Sequence, residues 1–307
     1  MVKIIIYSLS MTDLKEVIKK ARPTLSDSSI TTYNSILKNL HQKVFDTKDV
    51  SLDNFEKSDK ILKHLEDVEP NKRKTILSAL VVICKDPKPY RTLMLTDIKD
   101  YNKEVATQEK TEEQKDNWIE QNQLQSVFNA LKKEADYLYK KDNLTASDLQ
   151  KIQNFIIVAL FHLIPPRRAK DFCDFKIRGP IDKETENWFD EKNNELNFAS
   201  YKTAKFYGIQ KVKIDKILKA ILKKWIVINP TEWLLFDTNN QKLTPVKLNQ
   251  RLNKIFGSEK GASVNNLRHS YLTSKYADSI KMKEAMAEDM AAMGSSLAQS
   301  NVYIKKE

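Results

Sequence analysis

In the first hundred residues, apolar side chains recur every three or four positions in short runs, the period of helices with one buried face. Leu14 to Ala21, capped by Ser10 or Thr12, predicts a first helix that Pro23 ends. Ser26 or Asp27 opens a longer one, with Ile30, Tyr33, Ile36, Leu37 and Leu40 on one face. A short helix around Ile61 to Leu65 ends before Pro70. Lys74 to Cys84 is apolar enough to be buried, Pro87 and Pro89 stop it, and a helix through Leu93 to Tyr101 follows.

From Lys103 to Asp116 the apolar face disappears, which predicts an interdomain linker. The expected organisation is a helical domain over residues 1–110, a linker over 111–117 and a second domain over 118–307. In the second domain, Trp118 to Tyr139 and Ala146 to Leu163 predict two long helices. Between Glu195 and Ile214 the pattern changes. Leu196, Phe198, Tyr207, Ile209, Val212 and Ile214 predict short strands around a polar turn. Helices resume at Ile217 to Ile226, Pro245 to Phe256, Val264 to Tyr276 and Met282 to Met293. The fold class is therefore mainly α with a small β-sheet.

Composition narrows the function. The 307 residues carry 52 Lys and Arg against 41 Asp and Glu, a net charge of +11. The excess is about +3 through Lys115 and about +8 beyond it, so the second domain carries most of the field. Such a surface attracts phosphate polyanions, and nucleic acid is the natural partner. Cys84 and Cys173 offer no disulfide framework, and His41, His64, His162 and His269 lack metal-ligand spacing. The apolar start, Met1 to Leu9, is too short and wrongly flanked for a signal peptide, and no run suits a bilayer span. This predicts an intracellular protein that makes no use of a membrane.

Four separated features bear on chemistry. In Pro165-Pro166-Arg167-Arg168-Ala169-Lys170-Asp171-Phe172 the prolines force a break, setting Arg168 at the mouth of a new helix, a position suited to anions. Asp171, one turn along, is expected to hold that guanidinium. In Ser200-Tyr201-Lys202-Thr203-Ala204-Lys205, between the two predicted strands, Lys202 can reach out as a mobile proton donor, with Lys205 in reserve. In Asn265-Asn266-Leu267-Arg268-His269-Ser270, Leu267 and Tyr271 are expected to face the core and turn Arg268 elsewhere. Last, Met293-Gly294-Ser295 ends a helix, and Tyr303 follows on a short one.

In this order, R-x-x-D, K-T in a β-hairpin, x-x-L-R-H, and M-G-x-S with a tyrosine shortly after, the chain resembles the tyrosine recombinases of the phage-integrase type. The resemblance covers the second half from Asn117 and extends more weakly to the first domain, which is similar to the family's helical core-binding domain. It implies a C-terminal catalytic domain in which Arg168 and Arg268 grip the scissile phosphate. It further implies Lys202 as general acid to the leaving 5′ oxygen and Tyr303 as nucleophile. Double-stranded DNA is the implied substrate, a homotetramer the working assembly, and no metal or cofactor is implied. The implied setting is with DNA: the cytoplasm of a prokaryote, or the nucleus or viral factory of a host.

Two positions depart from the family pattern. Asn265 stands where the family commonly has His, and Ser295 where it commonly has His or Trp. Asn265 cannot take a proton from Tyr303, and Ser295 has no positive form. Losing such groups costs on the order of 10²–10⁴ in rate, which predicts a slow or assembly-dependent enzyme. His269 is expected to play a structural part beside Arg268. The competing expectations are a DNA-binding protein of this fold that has lost cleavage, and a type IB topoisomerase-like enzyme.

Overall fold

The computed structural model describes residues 11–259 and 261–305; the expectations for Met1 to Leu9 and for Ser10 as a cap lie outside them. Two compact units divide the chain at residues 109 and 110.

The first unit is helical: α1 (Met11–Ala21), α2 (Asp27–Phe45), a 3-10 turn (Leu52–Glu56), α3 (Ser58–His64), α4 (Pro70–Ile83) and α5 (Lys88–Ala106). Ser26 accepts the Ser29 amide and so caps α2, while Asp46 ends it in the left-handed region at φ 53°. Pro70 and Pro89 sit in the first turns of α4 and α5, where a helix needs no donor. Pro89 therefore starts a helix instead of only ending the one before it. Leu14, Ile18, Leu37, Leu77, Leu80 and Tyr90 pack at the centre. Two polar staples hold this core: the Tyr90 hydroxyl donates to the Phe55 carbonyl at 2.7 Å, and Arg73 makes a two-point pair with Asp97 at 2.7 and 2.9 Å.

The second unit begins at once. Residues 111–117, expected as a linker, form a capped helical turn, α6 (Glu112–Asp116), whose Thr111 and Gln114 make a reciprocal capping box. The carbonyl of Asn117 accepts from Asn266 at 3.1 Å, and its side chain accepts from the Gly261 amide. These contacts bind the segment into the second unit. Then come α7 (Gln121–Leu138), α8 (Ala146–His162), α9 (Ala169–Cys173), β1 (Phe175–Lys176), β2 (Asn187–Asp190), β3 (Glu195–Phe198), α10 (Ala204–Tyr207), β4 (Gln210–Lys213), α11 (Lys216–Ile228) and α12 (Pro245–Phe256). After α12 come α13 (Val264–Ala292), a 3-10 turn (Leu297–Gln299) and α14 (Ser300–Tyr303).

The helix α8 is apolar all round from Phe155 to Phe161 and buried throughout that run, as a central helix must be. The sheet has the order β1-β2-β3-β4; β1 and β2 are parallel, the other pairs antiparallel, with Leu196 opposite Val212. The molecule is thus mainly helical with one small sheet. No helix among the described residues is long and apolar enough to cross a membrane.

One prediction fails clearly. The helices expected at Val264 to Tyr276 and Met282 to Met293 are a single helix, α13, of 29 residues. Its first turns bury Val264, Leu267 and Ser270, but from Tyr271 onward only Met290 is buried. Leu272, Tyr276 and Met282 lie 53%, 49% and 72% exposed, so this helix outruns the core that its first turns join.

Candidate functional site

The site is built outward from the break after α8. Pro165 and Pro166 prevent α8 from continuing, and the chain re-enters a helix at Ala169 with Arg168 as the extended residue before it, at φ −67° and ψ 151°. Of the two arginines, Arg167 is the one held by neighbouring side chains. The guanidinium of Arg167 lies over the Phe198 ring at 3.9 Å and beside that of Tyr201 at 5.1 Å. Its Nε donates to Asp171 at 3.0 Å. Asp171 therefore holds Arg167, and the expectation that it would hold Arg168 is corrected. Four residues separate Arg167 from Asp171, one helical turn, whereas Arg168 acts on the carboxylate through its charge and makes no ion pair with it among the described residues.

Arg268 comes to the same place from α13. The start of that helix is pinned by Ser263, which accepts the Asn266 amide, and by Ser270, which accepts from Gln121 at 2.8 Å and donates to the Ile119 carbonyl. Leu267 is buried, as expected, and Arg268 is half-buried. Burial, first, and then the neighbouring charge of Arg168 pull the Arg268 pKa below the usual guanidinium range; Asp171 opposes them and Arg167 adds to them. Burial raises the Asp171 carboxyl, while Arg167 and Arg168 pull it down. Three guanidiniums and one carboxylate thus share one neighbourhood. Among the described residues, no hydrogen bond or ion pair occupies the guanidinium of Arg168 or Arg268. Two half-buried cations with their donors unused are chemically suited to hold an anion.

Lys202 is tied to that neighbourhood through the backbone. It lies in the connection between β3 and β4, which holds α10, and its side chain is exposed. Fully buried Asn187 fastens this connection to α9. Its amide donates to the Asp171 and Ser200 carbonyls, both at 2.9 Å, and its oxygen accepts the Ser200 amide at 2.8 Å. Tyr201, whose ring flanks Arg167, closes the far side by donating to the Gly208 carbonyl at 2.8 Å. Lys205 is exposed on α10. Sequence reasoning missed Arg167, Asn187 and Tyr201. The four-residue spacing of Arg167 and Asp171 was the available signal; Asn187 had none, because its role depends on strand pairing.

Asn265 and His269 are exposed on the first turns of α13, beside Arg268 in sequence, with no hydrogen bond from either side chain among the described residues. The remaining two candidates lie elsewhere. From Arg268 to Ala292 the helix rises about 36 Å at ~1.5 Å per residue. Beyond it, Gly294 at φ 70° turns the chain, the Ser295 hydroxyl donates to Gln299 at 2.7 Å, and Tyr303 sits on α14, 55% exposed. No hydrogen bond or ring contact joins Tyr303 to the arginines among the described residues. The arrangement brings together Arg168, Arg268 and Asp171 with the Lys202 connection; it does not bring Ser295 and Tyr303 to them.

Comparison with protein-family models, with curated proteins and with solved structures found no match.

Proposed function

We propose that this protein is a DNA strand transferase of the tyrosine-recombinase kind, acting through a 3′-phosphotyrosyl intermediate. The observation that carries this reading is the pair of half-buried guanidiniums, Arg168 and Arg268, near enough for the charge of one to act on the other and with no hydrogen-bond partner among the described residues. An uncharged ligand gains little from such a pair, whereas a phosphate in flight between two esters gains most. Charge grows on its non-bridging oxygens in the transition state, where fixed donors count for more than they do in water. Arg suits this task because its planar fork keeps its charge at any working pH.

In the reaction, the Tyr303 phenol releases its proton to water and its oxygen bonds to phosphorus as the bond to the 5′ oxygen breaks, and Lys202 protonates that leaving oxygen. The phosphotyrosyl ester retains the bond energy, so attack by a DNA 5′-hydroxyl reverses the step and rejoins a strand. The net charge of +11 favours a nucleic-acid polyanion as the ligand, and the recombinase reading makes it duplex DNA. The first unit is assigned the core-binding role, and four copies of the chain on two duplexes form the working assembly. Cleavage requires the phenol of Tyr303 to reach the arginines, by a bend within α13 or from a second copy of the chain. Asn265 cannot act as base, which makes the enzyme slow.

The distant Tyr303 also favours a second reading, a DNA-binding protein of this fold that does not cleave. A nicked duplex carrying the sites of the element that encodes the chain separates the two. The enzyme reading expects a covalent adduct that survives detergent with the unaltered chain and none with Tyr303→Phe. Binding without any adduct supports the second reading. Relaxation of supercoiled plasmid of arbitrary sequence points to a topoisomerase instead.

A further inference from the structure

A cavity of about 370 Å³ lies in the same unit, between the amino-terminal half of α8 and the length of α12. Two helices that pack usually meet through apolar side chains. The side chains that line this cavity instead end in polar groups, carried on carbon stems that form most of its wall: Gln150, Lys151 and Asn154 from α8, and Lys247, Arg251 and Lys254 from α12.

The charges in this cavity do not balance. Lys151 pairs with Glu134 at 3.2 Å and Lys247 with Asp237 at 2.6 Å. Arg251 has no carboxylate partner in contact; one arm of its guanidinium donates to the neutral Gln150 oxygen, and the other, Nη1, is buried with no partner. Burial lowers the Arg251 pKa, and only the more distant Asp237 charge offsets this. Lys254, at the same wall, is exposed and forms no ion pair among the described residues. The Asn154 side-chain oxygen is buried and also without a partner. A buried donor left unmade typically costs about 1–3 kcal/mol, more for a charged one.

We infer that this cavity binds a phosphate group, with Arg251 and Lys254 as its counter-ions. Two uncompensated cations match the charge of a phosphomonoester better than that of a carboxylate. The volume leaves room for a sugar-sized group as well as the phosphate. The site is separate from the Arg168–Arg268 pair and does not depend on cleavage. The phosphate has two sources, a free small molecule or the backbone of a nucleic acid, which the test below separates.

Titration calorimetry of the full chain with inorganic phosphate and with ribose 5-phosphate, using ribose as control, tests the inference. Saturable binding at one site is expected for both phosphates, tighter for the ester, and none for ribose. Arg251→Met and Lys254→Gln should each weaken binding about tenfold or more, the loss of one charge-assisted hydrogen bond. Lys254 is exposed, so its variant folds even if that of Arg251 does not. Absence of phosphate binding below ~10 mM, or affinity unchanged in Lys254→Gln, overturns the inference. A duplex oligonucleotide identifies the source: competition with ribose 5-phosphate assigns the site to a backbone phosphate, and simultaneous binding assigns it to a small molecule. Adduct formation plays no part in the readout, so failure here leaves the strand-transfer reading standing, and the reverse.

Discussion

Replacing Asn187 by Ala is expected to loosen the Lys202 connection without touching a charged group. The Asn187 side chain is fully buried and makes three hydrogen bonds, to the Asp171 carbonyl and to both backbone groups of Ser200. Each bond lost from a buried site costs about 1–3 kcal/mol. The bonds to Ser200 are only partly buried and water can replace them, so the whole loss is about 2–4 kcal/mol, less than a plain sum. All four tryptophans lie beyond residue 110, so their fluorescence follows the second unit alone during urea unfolding. The same free energy should appear as local opening, with the Ser200 amide exchanging its proton about 30- to 1000-fold faster. Asn187→Asp keeps the acceptor but sets a carboxylate against two carbonyls, and should cost at least as much at neutral pH. A change under about 0.5 kcal/mol in the alanine variant, with Ser200 still protected, would refute the claim that Asn187 couples α9 to this connection.

Other expectations follow from single groups. The Asp148 carboxyl is held down to about 2 by the Lys141 ammonium first, then by the Thr145 amide and hydroxyl. A depressed carboxylate contributes stability that is complete above the usual carboxylate range and is lost as pH falls toward 2. The gap in urea midpoint between the unaltered chain and Asp148→Asn should therefore close between about pH 4 and pH 2; a gap constant with pH contradicts this. Burial pushes the thiols of Cys84 and Cys173 up to about 12, so an aromatic disulfide reagent at pH 8 should label neither until urea unfolds the chain. Labelling within seconds in native buffer would count against both. Leu272→Ser and Met282→Ser, on the exposed length of α13, should each alter stability by less than about 0.5 kcal/mol. A larger loss, read by tryptophan fluorescence, would mean that this helix packs on the core.

Periodicity carries most of the helical architecture, because one buried face writes itself into every third or fourth position. It is silent where the face is missing. The stretch Ala277-Asp278-Ser279 reads as a gap in the pattern, yet it contains neither Gly nor Pro, and nothing in it forbids a helix. The 29-residue α13 runs straight through, and that continuity is what carries Tyr303 away from Arg268. Capping signals were ambiguous in a similar way. Pro89 was legible as a break but equally fits a first turn, and it serves as one. The anion site was legible as residue types but not as pairings. Arg167 and Arg168 are adjacent, and only the position of the α9 start decides which one Asp171 holds. Asn187, and the Arg251 cavity between α8 and α12, arise from contacts across 13 to 101 residues of chain, beyond any local pattern.

The central claim is that Arg168 and Arg268 neutralise the charge on one phosphate. The direct test is adduct formation on two nicked duplexes that differ only at the scissile linkage, one an ordinary phosphodiester and the other an uncharged methylphosphonate. On the phosphodiester, Arg268→Ala should lower the rate by about 10²–10³, the usual cost of one oxyanion donor. On the methylphosphonate, which lacks the ground-state charge and one of the two non-bridging oxygens, most of that penalty should vanish. An equal penalty on both duplexes, or no adduct from the unaltered chain on either, would contradict the account.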